Sequence, residues 1–166
     1  MLKVVGSTLI IFACTAIGFD RSHKLQLHLN QLEMLKQIFV LIKKEMQYTM
    51  APLPEIFLKI SRGVDEFWKR WLEQLSMELQ NCEKLTFEQV WDATIEKHFQ
   101  ESQFTLREKE ELLQVGKNLS YMENIDLYLE LLDISIQRAR EDAKTKKKLY
   151  QSIGIVGGIF LVIVLF

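Results

Sequence analysis

The side chains able to do chemistry are few. Three histidines, His23, His28 and His98, and two cysteines, Cys14 and Cys82, are scattered over 166 residues. His23 and His28 stand five apart, whereas a metal pair on one helix face needs a spacing of four. His98 lies near Glu101 and reads as an exposed residue at a helix end. The wide separation of the cysteines excludes a disulfide scaffold, and their number excludes a four-cysteine metal site. Cys82 has no histidine nearby in sequence to activate it as a nucleophile. Glu108, Glu110 and Glu111 form an acidic cluster without a loop that could present ligands to a cation. They fall in the first turn of an expected helix, where the helix dipole favours negative charge. There is no glycine-rich phosphate loop, which argues against an ATPase or a kinase. No catalytic residue, cofactor or metal ligand is expected, and the chain reads as a non-enzyme.

One motif has mechanical meaning. Gly154 and Gly158, with Gly157 beside them, make a G-x-x-x-G spacing within an apolar stretch. Small residues four apart let two helices approach closely in lipid. The partner helix is open: the first apolar stretch, a second copy in a homo-oligomer, or another protein.

The elements that must position these residues follow from where the charges lie. The chain has 21 Lys+Arg and 22 Asp+Glu, a net charge of −1. That balance excludes a strongly basic nucleic-acid binder. Of the 43 charged residues, all but Lys3 lie between Asp20 and Lys148. Val4 to Phe19 carries no charge, and neither does Leu149 to Phe166. At ~1.5 Å per residue the second run extends roughly 27 Å, close to the thickness of a hydrocarbon core. Eleven of its residues from Ile153 onward are Ile, Val, Leu or Phe. Their insertion is worth about 3–6 kcal/mol. The expected domains are an N-terminal transmembrane anchor at 1–19, a helical bundle at 20–148 and a C-terminal transmembrane helix at 149–166.

Basic residues flank both runs. Arg21 and Lys24 follow the first; Arg138, Arg140, Lys144, Lys146, Lys147 and Lys148 precede the second. The positive-inside rule then places the middle region in the cytoplasm. These cations also have the chemistry to meet anionic headgroups, but their placement as a topology signal accounts for them. The competing reading is an extracytoplasmic helical binding or sensor domain, with a signal peptide cleaved near Ala16-Ile17-Gly18 and a C-terminal anchor. It puts the lysine cluster on the wrong side of the membrane.

The middle region is patterned for helices, with no alternating β-branched run and no hairpin dipeptide. A long helix is expected from Ser22 to Tyr48, with Leu32, Leu35, Phe39, Ile42 and Met46 as its apolar stripe. Shorter helices follow at Pro54–Arg62, Val64–Leu79 and Thr86–Phe99. Another opens at Thr105 and ends at Gly116. Thr86 with Gln89, and Thr105 with Glu108, are capping-box pairs. Ile125, Leu129, Leu132, Ile136, Ala139 and Ala143 step four-three-four-three-four like a coiled-coil seam. Nothing breaks that last helix before Gly154. The fold class is all-α: a cytoplasmic bundle of about six helices, flanked by two membrane helices.

Along its full length the chain resembles the stage III sporulation protein AB family of endospore-forming bacteria. The resemblance is carried by Met1-Leu2-Lys3, Gly6 and Gly18-Phe19, and by Gln31-Leu32 through Leu35. It continues through Glu45, Tyr48 and Pro52-Leu53, then Trp91, Leu112, Gly116 and Leu119, and ends with Gly154, Gly157 and Gly158. Ser120 after Leu119 departs from the glycine common there. The resemblance implies a cytoplasmic bundle like those of secretion-system and pilus platform proteins. It also implies a place in the mother-cell membrane facing the forespore, and the ATPase stage III sporulation protein AA as partner.

Overall fold

A computed structural model describes residues 2–49, 51–81, 85–100, 102–117, 119 and 122–165. Within its helices, the side chains of 2–15, 122–123, 147–148, 151, 154–155, 157–159, 161–162 and 164–165 lie outside that description. The described residues form six helices and no strand: α1 (Leu2–Tyr48), α2 (Leu53–Ser61), α3 (Glu66–Asn81), α4 (Phe87–His98), α5 (Leu106–Lys117) and α6 (Met122–Leu165). They fall into two compact units. One is Gln31–Ser135; the other joins Met1–Asn30 to Ile136–Phe166.

Local chemistry sets the helix ends of the first unit. Pro52 is the N-cap of α2, with Pro54 in the first turn, where its missing N–H costs nothing. Asp65 caps α3: its Oδ1 accepts from the Phe67 and Trp68 amides at 3.1 and 3.3 Å. Both expected capping boxes form. Thr86 Oγ1 accepts from the Gln89 amide at 3.3 Å while Gln89 Oε1 accepts from the Thr86 amide at 3.0 Å. Thr105 and Glu108 reciprocate in the same way, at 2.8 and 3.3 Å. Thr86→Ala is therefore expected to lower stability by about 1 kcal/mol, and Thr86→Ser to keep most of it, read from urea unfolding midpoints.

The helices of this unit enclose an aromatic core. α2 packs on α3, α3 on α4 and α4 on α5. Trp68, Trp71, Trp91, Phe39, Phe57 and Phe99 are fully buried. Trp71 meets Trp91 with ring centroids 5.4 Å apart and Phe99 at 5.2 Å, both edge-on. Phe99 also meets Trp68 at 5.6 Å and Phe104 at 5.3 Å. Edge-to-face pairs of this kind each add about 0.5–1.5 kcal/mol to the burial itself. On α1, Leu32, Leu35, Phe39 and Ile42 are buried as the stripe requires, joined by Ile38, while Met46 is only half-buried. Lys36 and Lys43 of α1 pair with Asp133 and Asp126 of α6. The two residue numbers of each pair rise and fall in opposition, so these segments run antiparallel.

Three expectations for the Gln31–Ser135 unit need correction. α5 does not stop at Gly116 but continues through it to Lys117. The glycine is there for close approach, because a Cβ built on it would fall inside the Trp91 indole. On α6 the seam position expected for Leu129 belongs to Tyr128, which is buried against Phe39 at 4.7 Å. The third is His98, which is half-buried against Phe67 of α3 in place of the expected exposed helix end.

In the second unit, Ser22, Leu29, Ile136, Ala139 and Ala143 are buried. Neither of its arms is a separate helix: 2–19 is continuous with the rest of α1, and 149–165 with the rest of α6. The expectation of two transmembrane anchors is not supported here, since among the described residues no helix is long and apolar enough to cross a membrane. The side chains of 2–15 and most of those from 151 onward, on which that expectation rests, lie outside the described residues.

Candidate functional site

The described parts of the terminal arms carry large apolar side chains that face outward. On α6, Leu149, Ile153, Val156, Phe160 and Ile163 recur at four- and three-residue steps. Each is more than half exposed, rising to 72% at Ile163. Ile17 and Phe19 on α1 are also more than half exposed. Contiguous exposed apolar surface of this kind marks a contact site.

Of the flanking basic residues, Lys24 pairs with Asp20 at 2.9 Å and Lys146 with Asp142 at 2.8 Å. The hydrogen bond that its ammonium donates to Asp142 holds Lys146 above its ordinary pKa. Arg21 and Lys144 are exposed. The side chains of Lys147, Lys148, Gly154 and Gly158 lie outside the described residues, so the G-x-x-x-G packing expected at Gly154 and Gly158 does too.

No group of three or more His, Cys, Asp or Glu side chains is placed to hold a metal ion among the described residues. His98 is not the exposed residue that sequence suggests. It closes the end of α4 against α3, with its ring 4.3 Å from Phe67 and 5.3 Å from Phe99, and its Nε2 is buried without a hydrogen-bond partner. Burial holds its pKa below the usual 6.5; the Phe67 backbone favours the cation and Arg70 opposes it. Protonation is then easier in the unfolded chain, so stability falls as pH drops through the unfolded value. The melting temperature should decline between about pH 7.5 and 5.5, and less steeply in His98→Gln. Asp92 is shifted the other way: burial, then its neighbours Glu88 and Glu96, push its carboxyl up, while Lys117 draws it down.

Sequence reasoning missed one feature altogether. A groove of about 750 Å³ lies between α5 and the start of α6. Val115, Tyr128 and Leu131 supply its apolar lining, Glu110 and Glu111 line it from α5, and Leu127 lines it from α6. Leu127 is 58% exposed. Arg107 pairs with Glu111 at 2.8 Å along α5. Burial, then Glu111 and Glu108, push the Tyr128 phenol well above its ordinary pKa, so it stays protonated. The only earlier signal was the acidic cluster, which reads equally as dipole compensation until α6 is seen to lie beside it.

Comparison with known proteins agrees with this architecture. The family model for stage III sporulation protein AB matches residues 3–166. Stage III sporulation protein AB of Bacillus subtilis (strain 168) is 23% identical over 173 residues, covering 99% of both chains. A solved structure of a stage III sporulation protein AB shares the fold, with a TM-score of 0.66 at 19% identity over 70% of this chain and 96% of that one. Because the match runs through all six helices, the chain belongs to the stage III sporulation protein AB family.

Proposed function

We propose that this protein is a membrane-anchored platform of the sporulation complex that connects mother cell and forespore. In this reading the arms at 1–19 and 149–166 sit in the mother-cell membrane facing the forespore. The Gln31–Ser135 unit stands in the cytoplasm and docks an ATPase, for which the family resemblance implies stage III sporulation protein AA. The protein performs no chemistry itself. It fixes the motor to the membrane and passes its state to other proteins of the complex.

The observation that carries this reading is the exposed apolar strip from Leu149 to Ile163, inside 18 residues without a charge and directly after Lys144, Lys146, Lys147 and Lys148. Five large apolar side chains more than half exposed are costly in water, and lipid removes that cost. The lysines behind them then hold that flank on the cytoplasmic side.

Two measurements test it. The full chain should stay with the membrane fraction through an alkaline wash and need detergent for release. Cys82 should resist a membrane-impermeant thiol reagent in intact cells and react once the membrane is opened. Recovery as a water-soluble protein without detergent defeats the anchored reading. Labelling of Cys82 from outside places the bundle on the far side and favours the extracytoplasmic alternative.

A further inference from the structure

We propose that the groove between α5 and the start of α6 receives an amphipathic helix of the cytoplasmic partner, with leucine-like side chains at three- and four-residue spacing and lysine or arginine along its flanks. The inference rests on the docking reading above and names the surface that performs it.

Charge selects the occupant. Between Glu108 and Asp133 there are seven acidic residues and two basic ones. Both cations are committed elsewhere: Lys117 lies 3.5 Å from Glu88, and Lys109 donates to the Phe99 carbonyl at 2.6 Å. Asp126 and Asp133 are engaged by Lys43 and Lys36 on the α1 side. Glu110 and Glu111 remain along the groove, with Arg107 offsetting only one of them. A partner that brings positive charge gains here, and an acidic one is repelled.

The apolar features select its shape. Val115, Tyr128 and Leu131 form the apolar part of the lining, beside the amides Gln114 and Asn124 and the charged Arg107, Glu110 and Glu111, and Leu127 stands more than half exposed. Such a trough between two helices accepts the apolar stripe of a third, whose charged flanks then reach the rim. A second copy of this chain fits less well. In its own basic segments Lys24 is paired with Asp20 and Lys146 with Asp142, and both segments lie next to the membrane in the proposed topology.

The test uses the full chain in nanodiscs of zwitterionic lipid. The probe is a fluorescent helical peptide of about 18 residues with leucines on one face and lysines on its flanks, compared with the same peptide carrying glutamates. Empty nanodiscs serve as the blank. The lysine peptide should bind, weaken with added salt, and lose at least about tenfold in affinity to Leu127→Asp and to Glu110→Lys combined with Glu111→Gln. Helical circular dichroism should stay unchanged in these variants, because Leu127 and Glu110 are exposed and Glu111→Gln keeps the side chain's size and an oxygen that accepts from Arg107. Equal binding of both peptides, or full binding by the variants, overturns the proposal.

The ATPase itself separates the two levels of inference. If the parent retains it and the groove variants retain it equally, the groove is wrong and docking stands. If the parent does not retain it although the lysine peptide binds the groove, the choice of partner is wrong and the groove stands. Crosslinks from the groove to a second copy of this chain also overturn the proposal.

Discussion

Trp91→Ala is expected to be among the most damaging single substitutions in this protein, lowering stability by about 3–5 kcal/mol. The indole is fully buried and touches rings from three directions: Trp71 at 5.4 Å, Phe87 at 5.6 Å and Phe39 at 6.3 Å. Its Nε1 donates to the Leu112 carbonyl at 3.0 Å, across from α4 to α5. Removing it leaves a cavity and cancels a buried hydrogen bond. For a chain of this length the melting temperature should fall by roughly 6–20 °C. Gly116 provides the sharper test. A methyl group there would enter the Trp91 ring, so Gly116→Ala should cost about 1–3 kcal/mol in the parent. In the Trp91→Ala background the clash is gone, and alanine is the better helix former by about 0.5–1 kcal/mol. The same substitution should then stabilise. A double-mutant cycle read by urea unfolding measures the reversal; additive costs would mean that Gly116 is not shaped by Trp91.

That pair also shows what a linear sequence conceals. The two capping boxes were legible because a cap is a local pattern: four consecutive residues contain both partners, as at Thr86 to Gln89. The stripe on α1 was legible because helical periodicity reports a buried face without naming what covers it. Gly116 reads as a helix end for the same reason, since a glycine after an apolar run is the ordinary stop signal. Its actual constraint is a ring 25 residues earlier in the chain, on another helix. His98 has the same history. Charged neighbours in sequence suggest exposure, while Phe67 on α3 covers its ring. The groove was illegible in full, because α5 and α6 each present an ordinary amphipathic surface and the trough exists only between them. The terminal arms are the reverse case. Their exposed strip on α6 is plain in the sequence as a run without charge, and the structure adds that Leu149, Ile153, Val156, Phe160 and Ile163 face outward.

Phe39→Ala is the second substitution expected to have a large effect, and it decides what clasps α1 to α6 in the Gln31–Ser135 unit. Two kinds of contact join them there: the ion pairs Lys36–Asp133 and Lys43–Asp126, and the ring of Phe39 against Tyr128. The ion pairs are the more visible and the weaker. Their side chains are a quarter to a half exposed, and pairs so placed are each worth about 0–1 kcal/mol. Phe39 has no exposed surface, and it joins α1 to Trp91 of α4 as well as to α6. Its removal should cost about 3–5 kcal/mol. Lys36→Met and Lys43→Met should each cost less than about 1 kcal/mol, an amount that shrinks further in high salt. Phe39→Leu, which keeps much of the volume but no ring, should fall between them. Urea unfolding of the four variants at low and high salt ranks the contributions. A lysine variant as damaging as Phe39→Ala would mean that charge, and not the aromatic contact, holds the two long helices together.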